Sequence, residues 1–532
     1  MRLFTAVIAA GLSWGLITHD TVAQVQQWQW ANAYECDFVA GFRKIIGDGQ
    51  GNTYVCGRYV SEPITMGLFT VNAAGSEDMF LAKLAPDGTT LWLRSLAGSS
   101  DEKAVSIAVD DEGNLYLTGS VQTNNLVIGD STFATGGHNQ FVVIKFDPTG
   151  SVLWVRMSEG QVNCQGTDLV IDGEGNICFV GVLMGGTGDL FLGGDTLSAI
   201  GGDGGIVGKY APDGGLIWAE TFEAAGDLYG VDVMLTTLNG VVLSGNLNGS
   251  SLTIGTDTLT AACFLAAYDT NGDVEWTRSF GGSGYDEIRG SAIDPAGAIY
   301  AVGRFYGTLD FDGIFMDAND GGSFLVKFQS DGTAEWAVQK ASAEYFEVGV
   351  SSAGQVLISG GCFSGMVFGS DTMNAPPGLN VFWAMYDGVG NELRAQRLGV
   401  GIAGHLAIDP SGDILLGGWL SSYLHFPGVG SIWDGPDKHN DMFVARSDGL
   451  LTGTIDQPAP ISSALYPNPG TGTFKVSDGA IEVVEIYSSS GGLVHSQRPT
   501  SGMVEATLSP GVYMVKLRSG MTTTAQRYVS LP

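Results

Sequence analysis

The stretch QFVVIKFDPTGSVLWVR, from Gln140 to Arg156, contains two apolar runs that are joined by the turn Asp147-Pro148-Thr149-Gly150. Short apolar runs bounded by Asp, Pro and Gly are typical of antiparallel strands. The same pattern recurs about every sixty residues, a period that indicates a repeat architecture. Its copies end at Trp30, Trp92, Trp154, Trp218, Trp276 and Trp336.

Each copy contains four strand-like runs, which in the unit ending at Trp154 cover residues 104–110, 114–121, 141–147 and 152–156. The chain has 80 glycines among its 532 residues and no sustained helical periodicity, so we predict an all-β fold. One four-stranded sheet with two apolar faces cannot bury both, whereas sheets packed around an axis cover each other. The sequence therefore predicts a β-propeller with four-stranded blades.

The two ends of the repeat region indicate how the propeller closes. Residues 27–32 match a fourth strand with no first three before it. The last copy supplies three strands, near 403–409, 413–420 and 441–447, and lacks a fourth. We therefore predict that the N-terminal strand closes the last blade, which makes seven blades.

The regions outside the repeats suggest an exported chain. Arg2, the apolar run from Leu3 to Ile17 and the small residues before Gln24 predict a signal peptide over residues 1–23. The run is too short for a transmembrane helix, so none is expected in the mature protein. The propeller is expected over 24–452, a linker over 453–460 and a small C-terminal β-sandwich over 461–532.

Charge and cysteine content limit the partners and the cross-links. The net charge of −32 disfavours nucleic acids and anionic lipids, but it selects no ligand. Cys36 with Cys56, and Cys164 with Cys178, fall in matching parts of two repeats and are candidate disulfides. Cys263 and Cys362 lie in different repeats and are expected to be buried small apolar residues.

The repeat resembles the bacterial β-propeller repeat family abbreviated SBBP. The shared pattern is D-x-x-G-N-x-Y-x-x-G, then F-x-x-K, then D-x-x-G-x-x-x-W, over roughly residues 25–450. Thr236 and Ser351 replace the first Asp in two copies, and Arg394 replaces one Trp. The resemblance implies the propeller architecture and leaves the activity open.

The C-terminal region resembles the sorting domain of the type IX secretion system, of the type A kind. The matching residues are Tyr466, Pro467, Asn468 and Pro469, the strand at Ile486-Tyr487, and Gly511, Val512 and Tyr513. The resemblance implies that the type IX machinery handles residues 461–532. It also implies a Gram-negative bacterium and a protein that is secreted or attached to the outer membrane surface. The alternative is an ordinary appended binding sandwich.

The candidate ligand-binding residues are acids just before the inner strands, on the face that carries the longer loops. They are Asp101, Glu102, Asp227, Asp286, Glu287 and Glu344. Around the channel mouth they would hold Ca²⁺ or a basic ligand, or would form only a solvated acidic rim. No resident cofactor or particular metal is assigned. The DxxGN turns contain Asp, Gly and Asn for their own geometry and are expected to be structural.

No motif of a metalloprotease, serine hydrolase, P-loop or dithiol enzyme occurs after the predicted signal peptide. We therefore favour a non-catalytic binding scaffold for an extracellular protein or glycan. The alternative is a polysaccharide lyase or hydrolase at the channel mouth. Adjacent acids on one strand point to opposite faces, so neither Asp101-Glu102 nor Asp286-Glu287 is a two-carboxylate site alone. A third hypothesis is a structural part of a surface assembly. His405 is expected near the channel as a packed or hydrogen-bonded residue.

Overall fold

The computed structural model describes most of residues 26–449 and parts of the C-terminal region. In the first range it leaves out 37–40, 61, 124–125, 129–130, 134, 136, 186–188, 198–202, 370, 377 and 434–440. In the second it covers 465–466, 473–476, 483–488, 493–498, 503–505, 508–519 and 522–530. The predicted signal peptide and the motif residues 467–469 lie outside these ranges. The chain divides into two compact units between Leu450 and Leu451.

All regular elements of the described residues are strands. The first unit contains β1 (Trp28–Tyr34), β2 (Gly41–Gly47), β3 (Thr53–Tyr59), β4 (Ile64–Met66), β5 (Phe69–Val71), β6 (Asp78–Leu84), β7 (Thr90–Leu96), β8 (Glu102–Val109), β9 (Leu115–Val121), β10 (Leu126–Ile128), β11 (Ser131–Phe133), β12 (Gln140–Phe146), β13 (Val152–Met157), β14 (Glu159–Gly160), β15 (Cys164–Ile171), β16 (Ile177–Leu183), β17 (Leu190–Leu192), β18 (Asp195–Leu197), β19 (Asp203–Tyr210), β20 (Leu216–Leu235), β21 (Val241–Ile254), β22 (Asp257–Leu259), β23 (Cys263–Tyr268), β24 (Val274–Gly282), β25 (Asp286–Ile293), β26 (Ile299–Phe311), β27 (Ile314–Phe328), β28 (Ala334–Lys340), β29 (Ala343–Val350), β30 (Val356–Cys362), β31 (Met366–Phe368), β32 (Asp371–Met373), β33 (Asn380–Tyr386), β34 (Glu392–Ile408), β35 (Ile414–Phe426), β36 (Gly430–Trp433) and β37 (Asp441–Ser447).

Antiparallel pairing arranges these strands in four-stranded sheets, which we call blades 1 to 7. From the innermost strand outward they are β2-β3-β6-β7, β8-β9-β12-β13, β15-β16-β19-β20, β20-β21-β23-β24, β25-β26-β27-β28, β29-β30-β33-β34 and β34-β35-β37-β1. The long strands β20 and β34 begin as the outer strand of one blade and end as the inner strand of the next.

The blades form a closed ring. Each innermost strand contacts the innermost strand of the next blade, and β34 of blade 7 contacts β2 of blade 1. Apolar residues of neighbouring blades share buried clusters, so each sheet covers the face that its neighbour could not bury alone. This arrangement is a β-propeller, which confirms the predicted fold class.

The N-terminal strand completes blade 7. β1 pairs antiparallel with β37, with Trp28 opposite Ser447 and Tyr34 opposite Met442. A hydrogen bond also joins blade 7 to blade 1, because a guanidinium nitrogen of Arg446 donates to the Gly51 carbonyl at 2.9 Å. Sequence-distant ends of the unit therefore hold the ring together.

The recurrent tryptophans connect each blade to the next. The indole N–H donates to a carbonyl in the following blade's last turn, from Trp30 to Pro86 at 2.8 Å and from Trp154 to Pro212 at 3.1 Å. The turn glycine packs on the same ring, as Gly88 does on Trp30. The tryptophans are thus structural docking residues.

The DxxGN turns are held by their own aspartates. In the first copy Asp48 accepts hydrogen bonds from the backbone N–H of Gln50 at 2.9 Å and of Asn52 at 2.8 Å. The Asn52 side chain donates to the other carboxylate oxygen at 2.7 Å. The carboxylate is therefore occupied within the turn, which agrees with a structural role.

Both candidate disulfides are wrong. Cys56, Cys164, Cys178, Cys263 and Cys362 are buried free thiols. On the paired strands β15 and β16, Cys164 lies opposite Leu183 and Cys178 lies opposite Val170, so the two sulfurs are at different levels of the sheet. Burial of the Cys164 side chain raises the pKa of its thiol to about 12.

The second unit contains β38 (Leu465–Tyr466), β39 (Thr473–Val476), β40 (Val483–Ser488), β41 (Leu493–Gln497), β42 (Met503–Glu505), β43 (Gly511–Ser519) and β44 (Thr522–Ser530). They form two small sheets, ordered β38-β39-β42 and β41-β40-β43-β44. The motif residues Gly511, Val512 and Tyr513 begin β43, and Tyr466 ends β38. The sandwich arrangement stays a prediction. Within the described ranges, no helix has the length and hydrophobicity of a membrane span.

Candidate functional site

Three of the six predicted acids lie in ion pairs. Glu287 accepts from Arg304 at 2.8 Å and from Arg289 at 3.2 Å. Arg289 also donates to Glu344 of blade 6 at 3.1 Å, which ties two predicted residues to one guanidinium. The third, Asp101, lies 3.8 Å from the Lys103 ammonium.

Glu102 and Asp286 occupy equivalent, buried positions at the starts of β8 and β25. Their exposed fractions are 0% and 2%. Each accepts a hydrogen bond from a backbone N–H four residues upstream, Glu102 from Gly98 at 2.8 Å and Asp286 from Gly282 at 2.7 Å. Burial raises the pKa of Glu102 to about 7 and that of Asp286 to about 6.

Asp227 is exposed, and the Asn248 side chain donates to it at 3.4 Å. The six acids therefore do not share one environment. The structure brings Glu287 and Glu344 together around Arg289, turns Glu102 and Asp286 inward, and leaves Asp227 in solvent.

A second set of residues, mostly polar, lines the channel, and His405 is the one member that the sequence analysis named. It occupies the position four residues before the first turn of each blade, where most inner strands show a register shift. We call this set the channel ring. Its members are Lys44, Ser106, Asp168, Asp232, Gly290, Glu347 and His405.

The charges of the channel ring interact across the axis. Glu347 raises the pKa of Lys44 most strongly, and Asp168 and Asp232 raise it further. These residues come from blades 1, 6, 3 and 4, so the interactions cross the channel between blades that are mostly not neighbours. The Lys44 ammonium thus lies in the electrostatic field of three carboxyl groups.

The acids of the channel ring differ in their surroundings. Burial, followed by repulsion from Asp168, raises the pKa of Asp232 well above its usual range. Burial also raises the pKa of Glu347, which Lys44 opposes, and the result is about 7. Asp168 instead accepts from the Ser106 hydroxyl at 2.6 Å and from the Val233 N–H at 3.1 Å. The channel ring therefore holds a Glu347 that titrates near neutral pH and an Asp232 that is harder to ionise than an ordinary aspartate.

His405 is hydrogen-bonded, in agreement with its predicted role. Its Nε2 lies 2.9 Å from the Phe42 carbonyl oxygen, and since a carbonyl only accepts, this nitrogen carries the proton. Burial, followed by repulsion from Lys44, lowers the pKa of the imidazole to about 4. The His405 imidazole is thus neutral at pH 7.

Aromatic side chains accompany the ion pairs at the mouth, on the side of blades 4 to 6. Tyr285 and Tyr306 are 45% and 44% exposed. The Tyr229 hydroxyl donates to that of Tyr285 at 3.2 Å, and the Arg304 guanidinium lies 5.0 Å from the centre of the Tyr285 ring. We call Tyr229, Tyr285, Arg289, Arg304 and Tyr306 the mouth cluster. Tyrosine and arginine are enriched where proteins bind their partners.

No group of three or more His, Cys, Asp or Glu side chains is arranged to hold a metal ion in the part of the chain that the structure describes. The assignment of calcium to the predicted acids therefore stays a proposal.

Comparison with known proteins identifies the family to which the C-terminal region is similar. Residues 464–530 match the family described as the secretion system C-terminal sorting domain. An uncharacterised WD repeat-containing protein of Acanthamoeba polyphaga mimivirus is 23% identical over 476 residues. The match covers 71% of this chain and 34% of that protein, so this chain spans about a third of the relative's length.

Two solved structures align with this chain over most of its length. U3-55K aligns with a TM-score of 0.43 at 9% identity, over 79% of this chain and 99% of its own. A polysaccharide lyase aligns with a TM-score of 0.39 at 9% identity, over 81% of this chain and 94% of its own. Neither similarity transfers an activity to this chain.

The strand pairing and the matched tail together define a class, that of exported β-propeller proteins. The chain carries a type IX secretion sorting domain at its C-terminus, and it is secreted or displayed at the cell surface.

Proposed function

We propose that this chain is a secreted or surface-attached binding protein, whose mouth cluster holds an extracellular protein or glycan. The observation that carries the proposal is the pairing of Arg289 with both Glu287 and Glu344. Carboxylates held in ion pairs are poor proton donors and acceptors. The surrounding guanidinium groups and exposed tyrosine rings, in contrast, can stack on sugars or pack on a protein surface.

Arrays of glycans and extracellular proteins, probed with the purified full chain, test this function. Once a ligand is found, Tyr285→Ala should weaken its binding by about tenfold or more, as expected for an aromatic anchor. Val389→Ala is the matched control, because Val389 is also exposed but lies in the tight turn between β33 and β34, at the opposite end of the blades. Equal binding by both variants would refute the mouth cluster as the site.

A second candidate function is a polysaccharide lyase or hydrolase that works at the channel mouth. It is favoured by the channel ring, where Glu347 has a pKa of about 7 and interacts with the cationic Lys44 and with Asp232, whose pKa is raised. Such a set could donate and accept protons at neutral pH. If the wild type turns over a polysaccharide and Glu347→Gln does not, the enzyme hypothesis is supported over the hypothesis of a non-catalytic binding protein.

For export we propose that the type IX machinery recognises residues 461–532 after removal of the signal peptide 1–23, in a Gram-negative bacterium. The family match to residues 464–530 supports this route. Fractionation of cells that express the full chain tests it, since the protein should be found outside the outer membrane or attached to its surface.

A further inference from the structure

Two carboxylates lie side by side where blades 1 and 2 meet, on the face that carries the longer loops. Glu77 and Asp101 form an isolated parallel bridge, in which the Glu102 N–H donates to the Glu77 carbonyl at 2.7 Å. Because the bridge is parallel, the residues that follow Glu77 and Asp101 are also next to each other. These residues are Asp78 and Glu102. Successive side chains of extended strands alternate in direction, so this second pair points away from the first.

The two pairs differ in their surroundings. Glu77 and Asp101 share the Lys103 ammonium, at 3.6 and 3.8 Å. Asp78 and Glu102 point inward and are both 0% exposed. The inward pair has no comparable cation among the described residues.

Each inward carboxylate uses one oxygen and leaves the other without a partner. One oxygen of Asp78 accepts from the N–H groups of Ala74 at 2.7 Å and Gly75 at 3.2 Å, and one oxygen of Glu102 accepts from Gly98. The remaining oxygens, Asp78 Oδ1 and Glu102 Oε1, are buried and have no hydrogen-bond partner among the described residues. A buried oxygen in this state costs free energy unless a proton or a cation satisfies it.

The loops before β6 and β8 also approach each other closely. The Ser76 N–H donates to the Ser100 carbonyl at 3.1 Å, which holds the two loops together. The approach is so close that a Cβ on Gly75 would lie 2.2 Å from the Ser100 carbonyl oxygen and 2.8 Å from that of Gly98. Carboxylate and carbonyl oxygens are the ligands that calcium prefers, with water completing the shell.

We propose that Asp78 and Glu102 bind one calcium ion between blades 1 and 2. The ion compensates two buried negative charges that otherwise repel each other, and it links the loop before β6 to the loop before β8. The site is separate from the mouth cluster, so it does not depend on the proposed function.

Calorimetric titration of Ca²⁺ into the full chain, stripped with a chelator and held at pH 8, tests the proposal. We expect one saturable site with a Kd on the order of 10⁻⁴ to 10⁻³ M, the range of extracellular calcium modules. Glu102→Gln should weaken binding by about tenfold or more, since it removes one of two charged ligands. Asp371→Asn is the matched control, because Asp371 also accepts a backbone hydrogen bond, from the Ala395 N–H at 3.0 Å, and lies between β30 and β33 of blade 6. It should bind calcium as the wild type does.

Asp78→Asn provides a second variant, which removes the other proposed ligand. It should weaken calcium binding by about as much as Glu102→Gln, since each variant removes one of two charged ligands. Absence of saturable binding by the wild type, or binding that both Glu102→Gln and Asp78→Asn leave unchanged, would overturn the proposal in favour of a shared proton.

Discussion

The docking of tryptophan on the next blade can be tested by adding one methyl group. In Gly88→Ala the backbone keeps φ of +82°, a left-handed conformation that costs an L-residue about 1–2 kcal/mol. The new Cβ would also lie 2.7 Å from Cδ2 of Trp30, which is only 6% exposed and has little room to move. Overpacking of this kind costs about 1–3 kcal/mol, and losing the indole hydrogen bond to Pro86 costs about 1 kcal/mol more.

The backbone cost can be separated from the docking cost with a matched glycine. Gly354 has φ of +77° in a turn of blade 6, and a Cβ there would meet no described atom within 4 Å. Gly354→Ala should therefore lose only about 1–2 kcal/mol. We expect Gly88→Ala to be less stable than Gly354→Ala by about 2–4 kcal/mol.

Equilibrium urea unfolding of the full chain, followed by tryptophan fluorescence, measures both variants. Trp30→Ala supplies the second arm of a double-mutant cycle, because without the ring Gly88→Ala should cost only the backbone strain. The reasoning is refuted if Gly88→Ala and Gly354→Ala are equally stable, or if the cost of Gly88→Ala is the same with and without the Trp30 ring.

Three further predictions concern charge and export. Asp286 has a folded-state pKa of about 6, above its ordinary 3.8, so the native state binds more protons and its contribution to stability falls by about 2 kcal/mol as pH rises from 4 to 6; unfolding of Asp286→Asn in chelator should lack this fall. Arg446→Met should lower the free energy of unfolding by about 3–5 kcal/mol, because it leaves the buried Asp409 and Asp413 without their cation. Arg446→Lys should lower the free energy of unfolding by less in the same urea titration, since it keeps the positive charge. Deletion of residues 464–530 should keep the protein inside the cell envelope, and its recovery in the medium at the wild-type level would contradict the assigned sorting role.

Much of the fold could be predicted because each blade repeats the same local chemistry. The DxxG turn, the strand that follows it and the tryptophan occupy a single short stretch, as in residues 140–156. The closing strand was also predictable, since residues 27–32 match only a fourth strand. The disulfides were predicted wrongly because matching positions in two repeats say nothing about the separation of two cysteines within one sheet. Cys164 and Cys178 share a strand pair and still lie at different levels.

The ion pairs at the mouth could not be predicted, because they depend on which blades become neighbours. Sequence alternation correctly separates Glu287 from Asp286, but it cannot show that Arg289 of blade 5 reaches Glu344 of blade 6. An acidic residue before an inner strand is therefore a poor indicator of an acidic surface. For Glu344, the cation that pairs with the carboxylate belongs to Arg289, about one repeat away.

The channel ring shows why a function is hard to read from this kind of sequence. The residue that follows the ring position packs between blades and is buried and apolar in six of the seven copies, as in Ile45, Ile107 and Leu169. The ring position itself faces the channel, where packing places little constraint on it, and its residue changes from lysine to serine, aspartate, glycine, glutamate and histidine. A search for conserved repeat residues therefore finds the positions that build the propeller. The positions that can recognise a ligand are those at which the copies differ, and their chemistry becomes visible only when closure brings Lys44, Asp232 and Glu347 together.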